Sequence, residues 1–597
     1  MTPKNYTQQQ LKATLPELFR IARRAHSLDA LRKSIAKLVY TMSYEPIEGQ
    51  DAFSDGKIIR IRDCGYAINQ VISKRSEEKT GFSMAQAIVD IARGVPRPDL
   101  TPAFFADLYH LFLGLQGKGP RARYADTHLD SSDLEGREAA IERSRQLDAL
   151  AGEVSRQMEF YADGLDPQAI KRRTLRRNRM LREMNATTKD WDDWRWQYRH
   201  VLRDPEQIKK LVALSDREIE AIEKSKLHRI PFGITPHYLS LMDDDPSDLR
   251  DMAIRAQVIP PAAYVDQLAA QTPTERTCLD FMRESDTSPI DLITRRYPAI
   301  CIFKPFNTCP QICVYCQRNW EIEDAMMPGA LASTEKIEAA IGWISDHPTI
   351  REVLITGGDP MGMDDDNIER ILSKVAAIPS VERIRIGTRT PVTAPMRFTD
   401  RLVDILAQYR CTGTRQIGLV THIQHSYELT PDTAAAVEKL RLHGISVFNQ
   451  LVYTFFVSRR FEAAILRRNL TRIGVEPYYS FNTKGKEETA EYRVPIARLL
   501  QEQKEEARML PGLTRTDEAV YNVPGMGKNY LRAKQHRDLL TILPDGTRVY
   551  EFHPWEKNIT RNISTHVGHD VPILDYLQRL EAIGEKSENY GTIWYYV

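Results

Sequence analysis

Apolar positions recur every three or four residues through 11–42 and again through 136–165, which predicts amphipathic helices over most of residues 1–185. Between them the stretch 114–133 loses the period, carries glycine and polar residues, and predicts a connecting segment. Beyond residue 300 the pattern changes. Runs rich in β-branched and aromatic residues at 301–306, 352–356, 383–388, 417–422, 445–452 and 476–481 predict six strands, and amphipathic stretches at 333–347, 366–378, 399–409, 430–444 and 458–474 predict helices between them. Strands alternating with helices pair in parallel through right-handed crossovers. The prediction is an α/β fold, a barrel-like sheet with its functional site at the carboxyl ends of the strands.

With 597 residues the chain has room for two to four domains. Its 82 Lys and Arg against 81 Asp and Glu leave no global field directed at nucleic acid or a membrane. The first residues show neither a charged n-region with an apolar h-region nor a long apolar span, so the expectation is a cytoplasmic protein without signal peptide or membrane helix. One local charge run stands out: Lys171, Arg172, Arg173, Arg176, Arg177, Arg179 and Arg182. It reads either as a surface for nucleic acid or an acidic partner or as a solvated helix face.

Three of the seven cysteines fall within eight positions as Cys309, Cys313 and Cys316. Three thiolates on one loop can hold three irons of a [4Fe-4S] cluster and leave the fourth open to another ligand. Zinc would need a fourth donor, and the neighbours on offer are Cys301, inside the apolar run ICIF, and His347. A disulfide between Cys309 and Cys313 is disfavoured by their closeness and by the expected reducing compartment.

The triad, with Tyr315 before its last cysteine, resembles the signature of the radical SAM superfamily. WDDWRWQ at 191–197 and ITPHYLSL at 234–241 resemble the lysine 2,3-aminomutase family in particular, and the likeness covers roughly residues 191–553. The resemblance implies a partial (β/α)6 barrel, a [4Fe-4S] cluster on Cys309, Cys313 and Cys316, S-adenosylmethionine on its open iron, and pyridoxal phosphate. It implies four segments: a helical extension 1–185 of unknown role, a helical segment 186–296, the barrel with its pyridoxal phosphate loop 297–553, and a tail 554–597 without the cysteine zinc site of clostridial-type lysine mutases. Gly357, Gly358 and Asp359 of GGDP match the turn that receives the methionyl amine. Arg389 follows the third strand. THIQH ends the fourth, and the resemblance assigns His422 to S-adenosylmethionine, although a histidine such as His425 is more often a satisfied core residue. Gln450 matches a phosphate-holding glutamine, and Lys528 in PGMGK matches the lysine that forms the Schiff base with pyridoxal phosphate. Here the sequence departs from the family: the loop is one residue short, Met526 stands in a glycine position, and the usual phosphate arginine is replaced by Ile300, for which Lys304 could compensate.

The activity implied is an isomerase reaction, transfer of an amino group from Cα to Cβ of an amino acid. Arg318 matches the arginine that grips the substrate carboxylate. The two aspartates that hold the distal ammonium in lysine mutases fall on Lys484 and Asn522. Exchanging an opposite for a like charge at about 4 Å reverses about 4 kcal/mol at an effective dielectric near 20. The pocket therefore resembles the glutamate 2,3-aminomutase branch and should reject lysine. The alternatives are a lysine 2,3-aminomutase whose pocket lies elsewhere, a radical enzyme that modifies a protein or RNA through residues 1–185, and a non-catalytic iron-sulfur scaffold. The expected partners are a small amino acid and a reductase supplying one electron, with no membrane and with nucleic acid disfavoured; a homo-oligomer is left open.

Overall fold

The computed structural model describes residues 6–44, 57–120, 124, 133–247, 249–272, 275–483, 487–554 and 565–597. Most of the connecting segment expected at 114–133 lies outside them. Nine strands form one sheet: β1 (Ile293–Thr294), β2 (Ile300–Phe306), β3 (Glu352–Gly357), β4 (Arg383–Gly387), β5 (Gln416–Thr421), β6 (Ser446–Tyr453), β7 (Val475–Asn482), β8 (Glu518–Val523) and β9 (Gly527–Tyr530). They are hydrogen-bonded in chain order, with β1 and β9 at the two edges. The six expected strands are β2 to β7, all parallel. The sequence reading missed the next: β8 continues the parallel run beside β7, and β9 turns back antiparallel to β8.

Strand alternation explains how this sheet encloses a cavity. Along β3, Val353 and Ile355 are buried against the helices while Leu354 and Thr356 line the interior. Along β4, Ile384 and Ile386 are buried, while Arg385 and Gly387 face inward. Successive side chains point to opposite faces, so each strand gives its apolar set to the helices and its mixed set to the site.

The remaining strands, β10 (Arg537–Ile542), β11 (Arg548–Phe552) and β12 (His566–His569), form a small antiparallel sheet. Helices Lys57–Val71, Lys74–Thr80 and Pro102–Leu115 pack onto it. Helix Pro102–Leu115 is apolar nearly all round and buried along its length, as a helix in a core must be. Its Asp107 receives two bonds of 2.8 Å from Arg548, and its His110 stacks on Trp594 at 4.6 Å. Burial pushes the His110 imidazole down to about 3, so the ring is neutral.

The basic run lies on helix Pro167–Glu183, where its inner arginines are structural. Arg176 donates to the Ser240 carbonyl and to Asp243 at 2.7 and 2.8 Å. Arg173 donates to Gly164 and Tyr427 carbonyls and stacks over the Tyr427 ring. This helix fastens the N-terminal helices to the outside of the barrel.

Candidate active site

Phe306 ends β2, and the cysteine loop begins at once. Its backbone is pinned to the helical segment before the barrel: Ile312 N donates to Gly233 and Val314 N to Gln257. Cys309, Cys313 and Cys316 line a cavity of about 390 Å³ at the carboxyl ends of the strands. Burial pushes the Cys309 and Cys313 thiols up; at Cys309 the Asp359 carboxylate and then the sulfurs of Cys316 and Cys313 add to it, and at Cys313 Arg389 works against it while Cys316 adds to it. Three such thiols ionise together when a cation sits between them. Cys301 is 1% exposed in the core.

The GGDP turn leans on this loop. A Cβ on Gly358 would come 2.1 Å from the Thr308 carbonyl oxygen, so only glycine allows the two backbones to pass. Asp359 is braced within the protein: it accepts from Met361 N, Thr388 Oγ1, Arg389 N and Thr390 Oγ1 at 2.6–3.0 Å, tying the turn after β3 to the turn after β4. Arg389 donates to Cys313 Sγ at 2.9 Å, the His422 carbonyl at 3.1 Å, Tyr238 Oη at 3.1 Å, Glu428 at 2.6 Å, and Gln257. It connects the cysteines to the helical segment and to the loop after β5. The two histidines of THIQH part company. His422 lines the cavity, its pKa lowered to about 4 by burial and then by Arg389. His425 is a brace: Nδ1 accepts from Tyr427 N at 3.0 Å and Nε2 lies 3.2 Å from Glu462.

At the other edge of the sheet the shortened glycine loop makes a tight hairpin. Gly525 and Gly527 take φ of +64° and +95°, left-handed values that glycine adopts freely, and Met526 is buried between them. The register sets Lys528 opposite Asn522, and both line the cavity. Lys528 Nζ is hydrogen-bonded to the Tyr297 hydroxyl, 4.5 Å from that ring and 5.7 Å from the Tyr479 ring. Gln450 on β6 and Arg385 on β4 line the same space, Arg385 at 2.8 Å from Glu352.

Arg318 also lines the cavity, already ion-paired to Glu284 and Glu321. Lys304 joins this group at 3.3 Å from Glu284 and 3.7 Å from Glu321, beneath the cavity wall rather than on it. Burial opposes ionisation of Glu284, but Arg318 and then Lys304 outweigh it and hold the carboxyl below its usual range.

Residues 303–453 match the Radical SAM superfamily. The chain is 41% identical over 603 residues to an uncharacterized KamA family protein of Methanocaldococcus jannaschii, covering 98% of this chain and 96% of the relative. The chain belongs to the KamA family. It is also 31% identical over 360 residues to glutamate 2,3-aminomutase of Clostridioides difficile, 60% of this chain and 80% of that protein. Against L-lysine 2,3-aminomutase of Bacillus subtilis it is 34% identical over 314 residues, 52% of this chain and 62% of that protein.

Membership in the KamA family, with its radical SAM domain, implies a [4Fe-4S] cluster, S-adenosylmethionine and pyridoxal phosphate. The donor set of this chain fits all three. Three sulfurs face one cavity, an amine lies between two aromatic rings, and five of the residues lining the space are cations: Arg296, Arg318, Arg385, Arg389 and Lys528. Gln311, within the cysteine loop, is 4% exposed with both amide atoms unpartnered on the cavity wall, as a ligand-binding amide would be.

Of the residues singled out in sequence, the cysteines, Gly358, Asp359, Arg389, His422, Gln450, Arg318, Asn522 and Lys528 line this cavity, and Gly357 lies just behind it with φ +116°. Lys484 lies outside the described residues. Sequence reasoning passed over Tyr297, Tyr479, Arg385, Gln311 and Glu284. Arg385 had a signal: a charged residue between two isoleucines in a parallel strand must face the interior of the sheet. The others had none short of the fold.

Proposed function

We propose that this KamA family protein is a radical SAM, pyridoxal phosphate-dependent 2,3-aminomutase that moves an amino group from Cα to Cβ of a small amino acid, with glutamate or a similar acid preferred to lysine. The reading rests on one observation above all: Cys309, Cys313, Cys316 and Lys528 line a single cavity. When bound, the cluster and S-adenosylmethionine supply a carbon-centred radical that removes a hydrogen atom from the substrate, and pyridoxal phosphate supplies the conjugated ring that lets the nitrogen migrate.

The chain's own residues bind and orient. Lys528 presents an amine at the wall, and the Tyr297 hydroxyl bonded to it can take or return a proton at Nζ. Arg385 and Gln450 offer a cation and an amide to a phosphate. His422, neutral at pH 7, offers one donor and one acceptor rather than a charge. Arg318 offers its guanidinium to the substrate carboxylate, which must displace Glu284 or Glu321 to reach it.

The charge of the lining supports an acidic substrate. Among its described residues the carboxylates are Glu284, paired with Arg318, and Asp359, braced by four donors, so a distal ammonium meets no uncommitted carboxylate. Asn522 offers an amide to a γ-carboxylate. An electron-supplying reductase and a cytoplasmic setting accompany this reading.

Anaerobic turnover with glutamate and with lysine, products read by mass spectrometry, tests it. The expected product is the β-amino acid of glutamate. Efficient conversion of lysine with none of glutamate overturns the substrate assignment, and absence of any β-amino acid from protein with an intact cluster overturns the aminomutase.

A further inference from the structure

A second cavity, of about 480 Å³, lies outside the barrel, walled by the end of helix Gly136–Glu159, the start of helix Pro167–Glu183 and the barrel helix Glu462–Arg472. The loop after β5 supplies His422 to the first cavity and His425 to this one. Tyr161, Ala169 and Ile465 are among its apolar lining, and Arg172, Arg250, Arg459 and Arg468 line it together with Glu159, Asp163 and Asp166.

Most of these charges are engaged. Asp163 accepts from Leu165 N at 2.9 Å and Asn469 Nδ2 at 3.0 Å. Asp166 caps its helix through Gln168 N and Ala169 N at 2.8 and 3.2 Å. Arg459 is paired with Glu462 at 2.7 Å, Arg250 with Asp243 at 3.4 Å, and Glu159 is exposed at the rim. Two arginines differ. The Nε of Arg172 and the Nε of Arg468 are buried without an acceptor, and the Arg468 guanidinium makes no hydrogen bond or ion pair with any described residue. Both side chains are half-buried, and Arg172 also reaches the Tyr427 hydroxyl, so the guanidinium ends stay open to the cavity while each Nε lies out of water; an oxyanion relieves the cost of that unmet donor, and the planar fork suits a carboxylate or phosphate.

We propose that this cavity is a binding site for a small oxyanion, a phosphate or a carboxylate, held by Arg468 and Arg172 and separate from the cysteine-lysine cavity. The site stands whichever amino acid the first cavity accepts.

Calorimetric titration of the cluster-loaded protein, its first cavity filled with S-adenosylmethionine and pyridoxal phosphate and the excess of both removed by desalting, tests it with two probes, inorganic phosphate and glutarate. The expected result is saturable binding of one of them at one site per chain, the stronger probe identifying the head group. Arg468→Gln should weaken that binding about tenfold or more, and Arg468→Lys, which keeps the charge but not the fork, by less. Circular dichroism and the cluster absorption show whether each variant is folded and loaded; if Arg468→Gln is not, Arg172→Gln takes its place. Absence of binding by either probe to the wild type, or equal binding by wild type and a folded arginine variant, overturns the site.

Discussion

Around the cysteine loop, Gln311 apart, the charged side chains are committed within the protein: Asp359 accepts four hydrogen bonds and Arg389 donates to five acceptors. Around the β8–β9 hairpin, Gln450 and Asn522 face the same cavity with side chains that make no hydrogen bond to any described residue. The difference teaches which parts of the site are preorganised. The cysteine end fixes positions and charge before anything binds, whereas the lysine end keeps donors and acceptors in reserve for ligands that bring their own. Its rigidity comes from the hairpin backbone instead.

The severest break in this contrast is loss of a cysteine. Cys313→Ala should abolish cluster assembly and anaerobic formation of 5'-deoxyadenosine; unchanged formation would remove these cysteines from the site. Next, Lys528→Ala should keep the cluster and cleavage of S-adenosylmethionine but reduce β-amino acid product to background. Borohydride reduction and peptide mapping of the wild type should find the pyridoxal adduct on Lys528, and an adduct on Lys304 would contradict the hairpin's role. Stability measures the contrast directly. Arg389→Gln removes one partner of a buried, hydrogen-bonded ion pair and should cost about 3–5 kcal/mol in denaturant unfolding, whereas Gln450→Ala should change stability by about 0.5 kcal/mol or less. Equal losses would mean that both ends are built alike. Among the effects on activity the smallest is expected from Glu284→Gln, which releases Arg318 from one competing carboxylate: KM for the amino acid should fall a few-fold, about 1 kcal/mol, with kcat little changed, and a rise in KM would show that Glu284 holds Arg318 in its productive place.

The strand-helix alternation and the cysteine spacing were legible because both are local. Each predicted strand is a run of a few β-branched and aromatic residues, and three cysteines within eight positions announce a shared ligand before any fold is known. The β8–β9 hairpin was harder to read, since EAVYNV and GKNY are short and lie on either side of a proline-glycine turn that reads as loop. Glu284 and Arg318 were opaque as a pair because their contact joins residues 34 positions apart through the start of the barrel. The basic run shows the opposite limit: its composition suggested a surface, but Arg173 and Arg176 find their partners at Tyr427 and Asp243, which only tertiary packing brings near.

Asp107 and Arg548, joined by two hydrogen bonds, stand 441 residues apart in the chain. During synthesis at about 5–20 residues per second, the second partner emerges about 20–90 s after the first. For that time helix Pro102–Leu115 has made its apolar surface without the residues that cover it, Trp594 and Tyr595 among them. Helix Pro102–Leu115 therefore completes its packing only once residues 548–595 have been made, and its apolar surface stays uncovered while the barrel is being synthesised.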